Sequence, residues 1–101
     1  MRTLVEFLNA QIEWSKITFG DSGEYLGICG HIEKELDEVR NNPNDLMEWI
    51  DIVILALDGA WRAGFSANEI KEALFEKQQV NFNRVWGTNI DPSTPNEHTK
   101  S

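Results

Sequence analysis

The chain has 101 residues, 41% of them hydrophobic, with four Trp and five Phe and a formal net charge of −8. That length supports one core and excludes a two-domain enzyme, while the aromatic content excludes a disordered chain. The excess of acids, 17 Asp and Glu against 9 Lys and Arg, argues against direct nucleic-acid binding because phosphate backbones are repelled.

Four helical segments follow one another without a period-2 stretch or an internal repeat, so the expected fold class is all-α. The first runs from Thr3 to Lys16, with Leu4, Leu8 and Ile12 on one stripe and Phe7, Gln11 and Trp14 beside it. Residues 17–23 read as a loop. Asp21 and Glu24 are placed to cap a second helix that ends near Arg40 and carries Tyr25, Cys29, Ile32, Leu36 and Val39 on one face. Pro43 breaks it. The third helix, from Asn44 to Ala63, stops at Gly64, a residue suited to a left-handed C-terminal cap. Ser66 with Glu69 forms a capping box, with Phe65 and Ile70 spaced for a hydrophobic staple, and the fourth helix runs to Trp86. Residues 1–86 are therefore expected to form the folded domain and 87–101 a mobile tail. Short connections between the helices favour an antiparallel bundle.

The single Cys29 excludes an internal disulfide, and no charged-then-apolar leader opens the sequence, which points to a reducing cytoplasm. The longest apolar run, Ile52 to Leu57, is far short of the ~20 residues that span a bilayer, so no membrane partner is expected.

The third helix is apolar almost all the way round and is expected to be central, yet Glu48, Asp51 and Asp58 share one arc of it. Isolated carboxylates in such a place cost several kcal/mol, so protein cations or a metal should accompany them. On the second helix Glu35 and Glu38 border the apolar stripe beside Ile28 and His31. If the two helices pack side by side, the pairs Glu35/Glu38 and Glu48/Asp51 meet, and a hard divalent cation relieves their repulsion. Mg²⁺ fits such a site, with Mn²⁺ as the substitute. The fourth helix turns polar along its inward stripe at Lys77, Asn81 and Arg84, groups able to hold the oxygens of a metal-bound polyphosphate.

Each feature also has a plain structural reading. An arbitrary E-x-x-E is most often a solvated face, and two such pairs, one inside a nearly all-apolar helix, reverse that expectation. Cys29 reads as a small core residue. Trp14 and Phe19 are core or base-stacking residues, core by default. His31 is equally a structural hydrogen-bond donor or support for a metal site. Asp58 is left between ligating metal, orienting a ligand and pairing with Lys77 or Arg84.

Taken together, Glu35-Leu36-Asp37-Glu38 and Glu48-Trp49-Ile50-Asp51 resemble the mark of the MazG-like all-α nucleoside triphosphate pyrophosphohydrolases. His31 to Glu35, Asp45 to Asp51, Leu57 to Gly64 and Lys77 to Asn81 are similar to the phage dATP/dGTP diphosphohydrolase, MazZ-type branch of that family. The likeness covers Trp14 to Trp86, and the short linker from Val39 to Met47 departs from the wider superfamily. The resemblance implies a four-helix bundle assembled as a dimer or a dimer of dimers. It also implies cleavage between the α and β phosphates of a purine deoxynucleoside triphosphate, dGTP or dATP, with Mg²⁺ on Glu35, Glu38, Glu48 and Asp51. One of the four acids, Glu38 among the candidates, serves as general base. With the triphosphate end so fixed, Gln11, Ile12, Trp14 and Phe19 are left for the base. A phage-encoded enzyme of this kind works on the nucleotide pool of the host cytoplasm. The competing reading is a small acidic helical interaction module without catalysis, and a di-iron bundle is set aside because no Glu-x-x-His occurs before the tail.

Overall fold

The computed structural model of the chain describes residues 2–84. Four helices, α1 (Leu4–Phe19), α2 (Leu26–Asn41), α3 (Leu46–Arg62) and α4 (Ala67–Asn83), make the protein all-α, with no strand among the described residues. They fall into two compact units, Met1–Lys71 and Glu72–Ser101, so α4 gives its first residues to one and the remainder to the other. The expected tail and the end of the fourth helix at Trp86 lie outside the described residues.

Local chemistry sets the helix ends. Thr3 caps α1 in a reciprocal box: the Glu6 amide donates to Thr3 Oγ1 at 3.2 Å and the Thr3 amide donates to Glu6 Oε1 at 3.4 Å. The helix continues past Lys16 through Ile17, Thr18 and Phe19, because nothing before Gly20 stops it. The expected Asp21/Glu24 cap does not form. Instead Ser22 Oγ accepts from the Glu24 amide, Glu24 Oε1 accepts from the Leu26 amide at 2.6 Å, and α2 starts at Leu26. Asp45 caps α3 by accepting from the Met47 amide at 3.0 Å. At its other end Gly64 has φ of 110°, the Phe65 amide bonds Ala60 O and the Gly64 amide bonds Trp61 O, which is a Schellman closure. The Ser66/Glu69 box expected before α4 is present in both directions, at 3.0 and 3.2 Å.

In the first unit α3 packs against both α1 and α2, the central position its composition requires. Leu8, at 1% exposure, Trp61, Ala67 and Ile70 form the buried cluster, ringed by Leu4, Val5, Ile12, Leu57 and Ala60. Trp61 thus finds its cover within the chain, whereas Trp49 on α3 remains 50% exposed. On α2 the covered stripe is Ile28, Ile32, Glu35 and Val39: Ile32 and Val39 are where expected, Ile28 and Glu35 replace Cys29 and Leu36, and Tyr25 and Cys29 are exposed rather than in the core. Glu35 takes a place on this stripe that an apolar residue would otherwise hold, because α2 turns it toward the acids of α3. In the second unit Leu74, Phe75 and Phe82 are exposed.

Candidate active site

A cleft of about 520 Å³ opens in the first unit. Gln11, Trp14 and Phe19 of α1 form one wall, Gly27, Ile28, His31 and Glu35 of α2 the other, and Asp51, Ile54, Leu55, Asp58 and Arg62 of α3 the floor. Glu24, from the segment joining α1 to α2, lines it as well. The arrangement follows from the packing: α3 touches both neighbours, so a groove remains between α1 and α2 above it.

Where Glu35 of the wall meets Asp51 of the floor, Glu48 of α3 joins them, and the three each offer a carboxylate oxygen, all within 4.8 Å of one another. Burial, and then the charges of Glu38, Glu35, Asp45 and Asp51, push the Glu48 carboxyl above its ordinary value. Three of the four expected acids therefore converge. Glu38 stands outside the tight group, close enough to act on Glu48 by charge. Glu35 Oε2 is buried with no hydrogen-bond partner among the described residues, a cost that a cation would remove. An all-oxygen donor set with one unpartnered buried oxygen fits a hard divalent ion such as Mg²⁺.

Away from the acids the cleft turns apolar and aromatic. Trp14 and Phe19 meet edge to face, with ring centroids 5.5 Å apart and an interplanar angle of 89°. Their exposures of 52% and 67% correct the default expectation that they belong to the core. Gln11 lines the same wall, and its Nε2 is a buried donor with no partner among the described residues. Ile12 does not line the cleft and packs against the core cluster. His31 is an exposed part of the α2 wall. Lys77, Asn81 and Arg84 belong to the second unit, where Arg84 Nη1 donates to Asn81 Oδ1 at 3.5 Å.

The floor contains one arrangement that helical spacing left open. Asp58 is buried and accepts from three donors: Ser15 Oγ, Trp61 Nε1 at 2.8 Å and Arg62 Nε at 2.9 Å. Burial alone would raise the Asp58 carboxyl, but bonds from Ser15, Arg62 and Trp61 and the Arg62 charge outweigh it and hold the group below the usual aspartate value. Its ion-pair partner is Arg62, one turn along the same helix. The available sequence signal was the i,i+4 spacing of Asp58 and Arg62 on a buried helix. Nothing in spacing marks Ser15, which is completely buried and comes from α1.

Comparison with known proteins adds the family. The model of the dATP/dGTP pyrophosphohydrolase family matches residues 7–101. The chain is also 39% identical over 74 residues to the Eaa protein of Salmonella phage P22. That match covers 73% of this chain and 23% of the phage protein, so the chain spans under a quarter of that relative's length. No solved structure matches. With a family match over nearly its entire length, and converging acids in a cleft of nucleotide size, the chain belongs to the dATP/dGTP pyrophosphohydrolase family.

Proposed function

We propose that this chain hydrolyses a purine deoxynucleoside triphosphate, dGTP or dATP, to the monophosphate and pyrophosphate, using Mg²⁺ held by Glu35, Glu48 and Asp51 with Glu38 beside them. The observation that carries the reading is the convergence of three carboxylates at the end of an aromatic-walled cleft in a chain of this family. When bound, the metal offsets polyphosphate charge and activates water for attack at phosphorus. The protein's own part is to orient. Trp14 and Phe19 offer faces for a purine, and the free Gln11 Nε2 offers a donor to an acceptor on its edge. Lys77, Asn81 and Arg84 are the proposed phosphate ligands, an assignment that rests on their sequence pattern.

Homo-oligomerisation is part of the proposal. Trp49, Ile50 and Val53 leave an apolar strip of α3 exposed in the single chain, which supports cover by a second copy. Because the relative is a phage protein, the proposed setting is the nucleotide pool of an infected cell, in the host cytoplasm. No described helix is long and apolar enough to cross a membrane.

The test is a panel of deoxynucleoside and nucleoside triphosphates with Mg²⁺, with pyrophosphate resolved from orthophosphate. The reading expects pyrophosphate from purine deoxynucleotides first. Absence of turnover on every member would leave the interaction module as the better account.

A further inference from the structure

The Asp58 network does more than neutralise a buried charge, because it reaches across three parts of the cleft. Arg62 Nε donates to Asp58 on its own helix, Nη2 to Ser15 Oγ on α1 at 3.0 Å, and Nη1 to the backbone carbonyl of Ser22 at 2.9 Å. Ser22 lies in the segment between α1 and α2, two residues before Glu24, which lines the cleft. The same segment touches α3 a second time: a Cβ on Gly23 would lie 3.2 Å from the Arg62 carbonyl oxygen, so only glycine sits there without displacement. The Arg62 guanidinium uses its fork to bind three acceptors at once, which a lysine cannot reproduce. Trp61, stacked at 4.3 Å from the guanidinium carbon, limits its freedom further.

We infer that Arg62, held by Asp58 and Ser15, is a positioning residue that clasps the 20–25 segment onto α3 and thereby fixes the Glu24 rim that selects the nucleoside end of the substrate. The selectivity part rests on the activity proposed above; the clasp itself does not. Glu24 gives one oxygen to the Leu26 amide, so its carboxylate is oriented as an acceptor at the cleft. An anionic acceptor there favours ligand groups that carry N–H or O–H donors, as a purine amino group or a sugar hydroxyl does, and disfavours phosphate. The clasp thus helps set which way round a nucleotide enters, independently of the acids that hold the metal.

Two substitutions disturb the clasp by separate routes. Arg62→Lys keeps a cation beside Asp58 and loses the fork to Ser22. Gly23→Ala leaves every network side chain in place and forces the segment and the Arg62 carbonyl apart by a few tenths of an ångström. Amide hydrogen exchange is measured on the full-length chain, without nucleotide, alongside KM, kcat and the ranking of dGTP, dATP and their ribonucleotide counterparts. The clasp predicts faster exchange confined to residues 20–26 in both variants, with α3 protection retained. It also predicts KM raised roughly threefold to tenfold, the size expected for the net loss of one ordinary hydrogen bond, with a changed substrate ranking. In Gly23→Ala the Mg²⁺ concentration giving half-maximal rate stays the same. Unchanged exchange in both variants overturns the clasp. Faster exchange with an unaltered KM and ranking overturns the selectivity role. If the wild-type chain turns over no nucleotide, the activity reading fails, and the exchange result still decides the clasp.

Discussion

Two buried or half-buried carboxylates of α3 are held in opposite electrostatic states, and each carries a prediction of opposite sign. Glu48 is raised by burial and by the acids around it, so the native state binds its proton more tightly than the unfolded chain does. Its contribution to stability is therefore present in acid and falls as pH rises from the ordinary glutamate value through the raised native one. Glu48→Gln is expected to raise the melting temperature of the metal-free protein at neutral pH, with the gain disappearing in acid. A gain that persists unchanged in acid would contradict the assigned repulsion. Asp58 is the reverse case, since its native value is depressed. The stability it confers is complete above the ordinary aspartate value and is lost as pH falls through the native one. Asp58→Asn leaves the Arg62 guanidinium buried without its counter-charge, and urea titration at neutral pH should show a loss of about 3–5 kcal/mol. That loss should narrow in strong acid, where wild-type Asp58 is itself protonated.

At the level of helices, the order and number of elements follow from periodicity and from stop and start residues. The Ser66/Glu69 box and Gly64 after α3 stand where the pattern put them, because capping depends on residues adjacent in sequence. Gly64→Ala should cost about 1–2 kcal/mol, since a Cβ is strained at φ of 110°, and the denaturation midpoint should fall with an unchanged slope. Three of the acids were readable for the same reason, as i,i+3 spacing puts side chains on one face and α2 lies beside α3. Decisions made between helices were harder to read. Hydrophobicity alone favoured Cys29 and Leu36 for the covered face of α2, whereas the structure covers Ile28, whose side chain lies against Gly59 of α3, and Glu35, which joins the acids of α3. Trp14 and Phe19 look like core residues by type, and they are exposed because α1 and α2 stand apart over α3. The choice of Arg62 for Asp58, and the recruitment of Ser15, depend on a helix crossing that no local pattern encodes.

For the molecule as a whole, an excess of acids concentrated partly in one cleft leads to the expectation that cations stabilise the fold. Mg²⁺ at a hundred times its dissociation constant should stabilise the native chain by about 2.7 kcal/mol if it binds that state alone, read as a rise in melting temperature. Glu35→Gln should reduce this rise, because Glu35 supplies the buried oxygen without a protein partner. The aromatic cleft, the family match over residues 7–101 and the acid group bear on one claim, that Glu35, Glu48 and Asp51 form the centre of a pyrophosphohydrolase. The most direct measurement is product analysis of dGTP and dATP incubated with Mg²⁺ and either the wild-type chain or Glu48→Gln, prepared identically and both shown to be folded. Monophosphate and pyrophosphate in equal amounts are expected from the wild type, and a rate lower by about a hundredfold or more from the variant, since a lost metal ligand removes several kcal/mol of transition-state stabilisation. Orthophosphate as the first product, or equal rates from the two proteins, would contradict that claim.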